Sequence, residues 1–382
     1  RTPMATAPPP ASGGVPAPNG AGAAGAASAA TGRSSAEEAA VEALSGWHRH
    51  QLVPLCKVLL RSRCVEVLDF GHAAAVESPS AGVALLARSL LARTQASPLR
   101  WLGLARVRLG PQGAFLLGEG LRAGRCPVRS LVLPDCCLGA AGAAALARGL
   151  SACVHLEVVN LRGNRLGDSG ARCIASDLNA LNGLRLLALQ DNSIAAEGAA
   201  ALAAVLPGCA ALRDLHLGNN ALGDAGAAAL ARALERNSDL RALNVAANGI
   251  CDEGAIALAR AVAGGSTLED LVLNENAISD EGASAFGPAL RSGLLMRLGL
   301  ASNRVGARGA AAIGEGLAVS VTLEGLRLGN NIMDDDDASA LANGVRQCPT
   351  LRELRLGGNN VSGVGRLSLA QAWNHRGGLL ET

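Results

Sequence analysis

The chain has 382 residues, a net charge of +2 and a hydrophobic content of 49%, so its length predicts several domains or a repeat array. Acidic and basic residues nearly balance without a long basic run, which argues against nucleic acid as the main partner. No apolar run reaches the ~18 residues of a membrane-spanning helix, so we expect no membrane partner.

Residues 1–34 consist largely of Ala, Pro, Gly and Ser, with no acidic residue and no periodicity. Such a composition cannot offset the entropy lost on folding, so it predicts a disordered segment. Its lack of acidic residues leaves an organellar transit peptide as an alternative. A chain that opens on Arg1 is also compatible with a fragment of a longer protein.

Residues 35–64 are predicted to form an N-terminal helical cap. The stretch "SAEEAAVEAL" has a capping-box pattern, in which Ser35 accepts from first-turn amides and Glu38 reaches back. We expect the helix to be interrupted near Pro54. The phrase "VEVLDF" then begins the repeat domain, residues 65–382, with its first strand.

A phrase of the form L-x-x-L-x-L-x-x-N-x-L recurs at nearly constant intervals of 28 residues. Its first residue, repeat position 1, is Leu99, Val128, Leu156, Leu184, Leu212, Leu240, Leu268, Leu295, Leu323 and Leu351. Position 9 is Asn in eight consecutive units: Asn164, Asn192, Asn220, Asn248, Asn276, Asn303, Asn331 and Asn359. A buried amide at a recurring turn can bond the loop amides and carbonyls of its own and neighbouring units, which we expect here.

The second half of each unit predicts a helix. A Gly at position 15 precedes it, and a buried stripe follows at positions 16, 19 and 23, for example Ala227, Leu230 and Leu234. The sequence has no Tyr, three Trp and three Phe, so Leu, Ala and Val must fill the core in thin layers. Each unit is therefore a strand, a turn and a helix, and about ten to eleven units stack into one array.

The phrase "LRDLHLGNNALGDAGAAALARAL" resembles the leucine-rich repeat, specifically its ribonuclease-inhibitor-like class. The resemblance implies an α/β horseshoe solenoid with a concave parallel sheet and outer helices. The class includes Ran GTPase activators, sensing regions of NOD-like receptors and axonemal subunits, so several functions stay open. They are a non-enzymatic protein-binding module, a Ran-type GTPase activator with a small GTPase as partner, a subunit of a cilium or flagellum, and a receptor sensing region. The nucleotide-binding G-x-x-x-x-G-K-[ST] motif does not occur.

Positions 3, 5, 7 and 8 are predicted to face the concave surface, because strand side chains alternate. The candidate protein-binding residues are Trp101, Asn160, Arg162, Gln190, Asp191, Asp214, His216, Asn244, Asp270, Asn274, Glu275, Arg297, Arg327 and Arg355. The middle of this set is polar and partly acidic, and its C-terminal end is basic and offset only by Glu353. Such a surface suits a protein with complementary charge. The alternative is that these side chains only keep the sheet soluble.

Two groups of side chains invite a chemical interpretation. Asp214 and His216 are spaced like part of a catalytic pair, but no Ser or Cys nucleophile stands nearby at a matching position, so we expect a surface ion pair and no enzyme. The run from Asp334 to Asp337 could suggest calcium. It lacks the ligand spacing of an EF-hand, and it lies at a helix start, where acidic side chains are favoured. We expect no metal or other cofactor.

Several of the ten cysteines follow the repeat register. Cys153, Cys209 and Cys348 all stand three residues before a strand phrase, and Cys136 stands where other units carry Asn. This placement predicts small buried residues in a reducing, cytoplasmic compartment, in preference to disulfides or metal ligands.

Overall fold

A computed structural model describes residues 66–69, 99–122, 128–373 and 378–382. All of them lie within the second of the chain's two units, Leu44–Thr382. The disordered segment predicted for residues 1–34 and the helical cap predicted for residues 35–64 lie outside the described residues.

The described strands form one parallel sheet in chain order, β1 to β12. Each strand has three residues, and in the predicted units these are positions 3 to 5. The bounds are β1 Val67–Asp69, β2 Trp101–Gly103, β3 Ser130–Val132, β4 Val158–Asn160, β5 Leu186–Ala188, β6 Asp214–His216, β7 Ala242–Asn244, β8 Asp270–Val272, β9 Arg297–Gly299, β10 Gly325–Arg327, β11 Glu353–Arg355 and β12 Leu379–Glu381. The sequence pattern predicted every strand but β12.

A helix or a pair of short helices follows each strand from β2 to β11. The bounds are α1 Gly110–Arg122, α2 Gly139–Leu150, α3 Gly167–Leu178, α4 Ala196–Val205, α5 Gly223–Leu234, α6 Asp252–Ala263, α7 Asp280–Ser284, α8 Phe286–Ser292, α9 Ala307–Val319, α10 Asp335–Gln347 and α11 Gly363–Trp373. A short 3-10 helix, Leu206–Gly208, extends α4. None of these described helices is both long and apolar enough to cross a bilayer.

The core lies between the sheet and the helices. In the Leu212 unit, the strand contributes Leu215 and Leu217 and the helix contributes Ala227 and Leu230, all 0% exposed. Neighbouring strands need about 4.8 Å, whereas packed helices need about 8–10 Å. Since both layers advance once per unit, this difference in spacing favours a bend with the sheet on the inner side. An open parallel sheet alternating with outer helices is the predicted solenoid.

The position-9 Asn side chains form the predicted ladder between units. Asn164 is fully buried, and its Oδ1 accepts a hydrogen bond from the backbone N–H of Cys136 in the preceding unit at 2.9 Å. Its Nδ2 donates to the carbonyls of Leu133 and Leu161 at 2.7 and 2.8 Å. The amide therefore satisfies backbone groups of two units at once, as we predicted.

The helix starts depend on an Asp at position 13 of the preceding unit. Asp224 Oδ1 accepts from the backbone N–H groups of Cys251 and Gly254 at 2.8 and 2.9 Å. Asp168, Asp252, Asp280 and Asp335 make the equivalent bonds to the units that follow them. Each carboxylate thus caps a helix that begins one unit later in the chain.

The position-15 Gly lies inside the first helical turn, so the prediction that it precedes the helix was wrong. Gly254 shows why the residue is small. A Cβ on it would lie 2.6 Å from Asp224 Oδ1 and 2.9 Å from Ala227 Cβ. The helix begins before position 15 because the carboxylate that caps it accepts from the backbone N–H groups of both position 12 and position 15.

Position 12 takes one of two backbone conformations according to the preceding unit. Where that unit has Asp at position 13, position 12 has negative φ, as at Cys251 (φ −102°). Where that unit has Ala at position 13, position 12 is either a Gly with positive φ, such as Gly223 after Ala196 (φ 57°), or a residue that caps its own helix, Asp334 after Ala307 (φ −111°). Only Gly adopts the positive-φ conformation at little cost, so it provides a helix start that lacks a carboxylate from the unit before it.

Candidate protein-binding surface

The strands direct positions 3 and 5 to one side of the sheet and position 4 to the other. In β6, Leu215 is fully buried in the core while Asp214 and His216 on either side are partly exposed. We call positions 3, 5, 7 and 8 of the described units the sheet face. All fourteen predicted residues lie on it. Arg162, Glu275, Arg297 and Arg327 are exposed, and the other ten are partly buried.

Position 8 supplies the residue that turns the chain away from the strand. Asp191, Asn219 and Glu275 have φ values of 58°, 55° and 57°. Asn and Asp tolerate this left-handed conformation better than most residues, so part of the polarity at position 8 is a requirement of the turn. The sequence did not separate this structural role from a binding role.

Part of the polar surface is bonded within the sheet face. Arg162 Nε lies 2.5 Å from Asp191 Oδ2, and the Asn219 amide donates to the other oxygen of the same carboxylate. The side-chain oxygens of Asn160 and Asn244 accept from backbone N–H groups two residues later, at 3.1 and 3.0 Å. These asparagines therefore hold the turn as well as facing the surface.

The C-terminal end of the sheet face is a ladder of ion pairs, so Glu353 is not the only carboxylate that offsets the arginines predicted to make this end basic. Arg297 pairs with Asp270. Glu353 Oε1 lies 3.0 Å from Arg327 Nε and 2.6 Å from Arg355 Nε. Burial alone would raise the pKa of Glu353, but hydrogen bonds and charge from these two arginines lower it below its usual range. The sequence shows how many charged residues this end carries, but it does not show which of them form ion pairs.

Glu381 extends the same ladder. It belongs to β12, which the sequence pattern missed, and its Oε2 lies 3.6 Å from Arg355 Nη1. Asp69 at the other end of the sheet is also a position-5 residue, since β1 pairs with β2 so that Asp69 is opposite Gly103. Aligning these end units by register with their neighbours would have found both residues.

The centre of the sheet face behaves differently. We define the central patch as Gln190, Asp214, His216, Ala242 and Asn244. Gln190 Nε2 lies 3.1 Å from His216 Nδ1, and it can donate there when the imidazole carries its proton on Nε2. Burial lowers the pKa of His216, partly opposed by the charge of Asp214.

Asp214 and His216 do not form the predicted ion pair. No contact within ion-pair distance joins their side chains, although both point to the same surface. Burial raises the pKa of Asp214; the charge of His216 lowers it, and that of Asp270 raises it further. Burial disfavours the charged forms of both groups, so this arrangement does not stabilise an ion pair between them.

The acidic run after Met333 caps helices, as predicted for a helix start. Asp334 accepts from the backbone N–H groups of Asp336 and Asp337 at 3.0 and 3.1 Å, and Asp337 Oδ2 accepts from the backbone N–H of Asp334 at 3.0 Å. Asp335 caps the next unit. The preceding unit has Ala307 at position 13, so this helix provides its own N-terminal cap.

The cysteines aligned with the repeat are buried, as their register predicted. Cys136, Cys153, Cys209 and Cys348 are at most 9% exposed. The Cys136 thiol donates to the carbonyl of Leu104 at 3.0 Å, and burial raises its pKa to about 12. The seven cysteines in the described part of the chain are all free thiols.

Comparisons with known proteins agree with this architecture. The family model described as "Leucine Rich repeat" matches residues 152–175, 183–203, 208–231, 236–259, 266–287 and 347–370. No curated protein sequence matches the chain significantly.

Similar solved structures include an internalin (inlF) from Listeria monocytogenes, with 16% identity, coverage of 85% of this chain and 93% of that chain, and a TM-score of 0.45. A TDR receptor is 18% identical over 81% of this chain and 49% of that chain, with a TM-score of 0.41. A plant ice-binding protein is 16% identical over 65% and 68%, with a TM-score of 0.39. The six matched segments are leucine-rich repeats, and the open parallel sheet that alternates with helices is consistent with a leucine-rich repeat solenoid.

Proposed function

We propose that this protein is a non-enzymatic interaction module that binds a protein partner through its sheet face. One observation carries the proposal: the central patch holds Asp214 and His216 in partly buried positions where burial opposes the charged form of each. A face that served only solubility would carry well-solvated charges. Partly desolvated charged groups that the fold does not pair are typical of surfaces kept for binding.

The distribution of possible nucleophiles supports a binding role over an enzymatic one. Cys136, Cys153, Cys209 and Cys348 are buried in the core. The exposed thiols Cys137 and Cys251 follow the strands at positions 10 and 12, outside the sheet face. A catalytic pair at Asp214 and His216 would need a nucleophile beside it.

We also propose a cytosolic location, since the free thiols fit a reducing compartment. The partner class is a folded protein or a protein segment with charge complementary to the central patch. A small GTPase is one member of that class, and the experiment below would reveal it directly.

The proposal is tested by affinity capture from native lysate with the full chain. The face variant replaces four residues by alanine: Asp214, His216, Asn244 and Asp270. A matched control variant replaces four exposed residues of the outer helices by alanine: Arg232, Glu253, Arg260 and Glu315. Circular dichroism confirms that both variants are folded.

We expect mass spectrometry to find a protein that the wild-type chain and the control variant capture and the face variant loses. Equal capture by all three chains would overturn the proposal and move the interface off the sheet face. If the protein is a small GTPase, its rate of GTP hydrolysis with and without the chain separates simple binding from activation.

A further inference from the structure

The inference concerns what the central patch recognises, and it rests on the proposed function. The strand register places Ala242 directly between Asp214 and Asp270 on adjacent strands. Two strand spacings separate the acidic residues, about 9.6 Å between Cα atoms. The Ala242 side chain is a single methyl group, so the space between the two carboxylates is open toward the surface.

Asp214 differs from the other acidic residues in the strands of the sheet face. Asp270 pairs with Arg297, and Glu353 and Glu381 pair with Arg355. The neighbours of Asp214 across the sheet are Leu186 and Ala242, which carry no charge. Among the described position-3 and position-5 residues, Asp214 is the carboxylate with neither an ion pair nor a hydrogen bond. Its sequence neighbour Arg213 is held by Asp239 at 2.9 Å.

The surrounding polar atoms leave acceptors in need of donors. The Asn244 side-chain oxygen already accepts from the backbone N–H of Ala246. The Oε1 atom of Gln190 is buried and has no hydrogen-bond partner among the described residues. An ionised carboxylate can only accept, and its two oxygens offer about four acceptor sites. Asp214 is therefore the acceptor of the patch that a ligand can reach, and a positively charged group with more than one hydrogen-bond donor suits it.

We propose that the central patch receives an arginine side chain of the bound protein, which lies over Ala242 and forms a two-point pair with Asp214. The guanidinium group presents a planar fork of donors that matches both oxygens of a carboxylate. Asp270, on the other side of Ala242, is already paired with Arg297, so Asp214 is the carboxylate that receives the guanidinium group. The arginine stem packs against the Ala242 methyl group, as long charged side chains do on apolar surface.

The test uses a random peptide library displayed on phage and selected on the immobilised full chain. Clones displaced by excess face variant are discarded, so that only binders of the intact sheet face remain. The strongest peptide is synthesised in two forms, one with arginine and one with citrulline, which keeps the shape but has no charge. Affinities are measured by fluorescence anisotropy for the wild type, D214N and the matched control E315Q, which removes an exposed carboxylate from an outer helix, away from the sheet face.

We expect selected peptides to be enriched in arginine and to lose at least tenfold in affinity on D214N or on replacement of one arginine by citrulline. The two changes together should cost no more than either alone, since they remove one interaction from opposite sides. E315Q should leave the affinity within about twofold.

Peptides that bind the sheet face without arginine, or that bind D214N as tightly as wild type, would overturn this inference while leaving the proposed function intact. A library without any binder that depends on the sheet face would overturn the inference too. The capture experiment then decides separately whether the face binds proteins at all.

Discussion

Replacing Asp224 by alanine tests whether units are coupled through their helix starts. The change removes the acceptor of the Cys251 and Gly254 backbone N–H groups and leaves the first turn of α6, Asp252–Ala263, without that cap. Loss of an N-terminal cap costs roughly 0.5–2 kcal/mol. Since one charged carboxylate serves two amides here, we expect the upper end, about 2 kcal/mol.

The assay is urea denaturation followed by circular dichroism. With a urea dependence of about 3 kcal/mol per molar, the midpoint of D224A should fall by about 0.7 M. D224N keeps the side-chain oxygen and should lose less. E315A, which removes an exposed carboxylate in the middle of α9, serves as the matched control.

Hydrogen exchange locates the effect. The amides at the start of α6 should exchange faster in D224A, whereas those of α9 should not change. If the midpoint of D224A equals that of E315A and the amides at the start of α6 keep their protection, the carboxylate does not couple the units and the reasoning fails.

Three further predictions concern the ladder, the patch and the thiols. Replacing the fully buried Asn192 by alanine should lower the free energy of unfolding by about 3 kcal/mol, measured by denaturation, because it leaves backbone groups of two units unpaired. Burial raises the pKa of Asp214, so the folded protein loses stability as the pH rises through the folded-state pKa and this carboxyl group ionises. The D214N side chain cannot ionise, so this variant should melt above wild type at neutral pH but not at about pH 3. Iodoacetamide should label the exposed Cys137 and spare the adjacent buried Cys136 in peptide mapping of the native protein.

The sequence predicted the repeating strand because each of its requirements lies within one unit. Leu at positions 4 and 6 and Asn at position 9 recur in phase, so the buried stripe and the ladder could be derived from spacing alone. The helix start could not, because the carboxylate that caps Cys251 belongs to Asp224 in the unit before it. Its signal in the sequence is the Asp at position 13 itself, since the next position 12 is Gly306 after Asp280 and a residue other than Gly after the other four capping carboxylates.

The candidate site was also predicted only in part, because some of its features depend on residues of neighbouring units. Alternation along the strand placed the position-3 and position-5 residues on one face, whereas the five residues at positions 7 and 8 lie in the turn that follows the strand. The charge of the sheet face could not be derived without knowing that Arg297 and Asp270 lie on adjacent strands in the same register. The unpaired state of Asp214 is likewise a property of its neighbours across the sheet, Leu186 and Ala242.

The helix cap also determines where the chain can be cut and rejoined. A carboxylate at position 13 and the backbone it selects at the next position 12 are the two ends of one segment, such as Asp224 to Cys251 or Asp252 to Ser279. Duplication or recombination with breakpoints just before position 13 passes both partners on together. Breakpoints just before the strand would separate the two partners. A unit with a position-13 carboxylate could then precede a unit with a left-handed glycine at position 12, or a unit with an extended residue at position 12 could follow one that has no capping carboxylate. The segment that can be exchanged in this protein therefore begins with a helix and ends beyond the next strand.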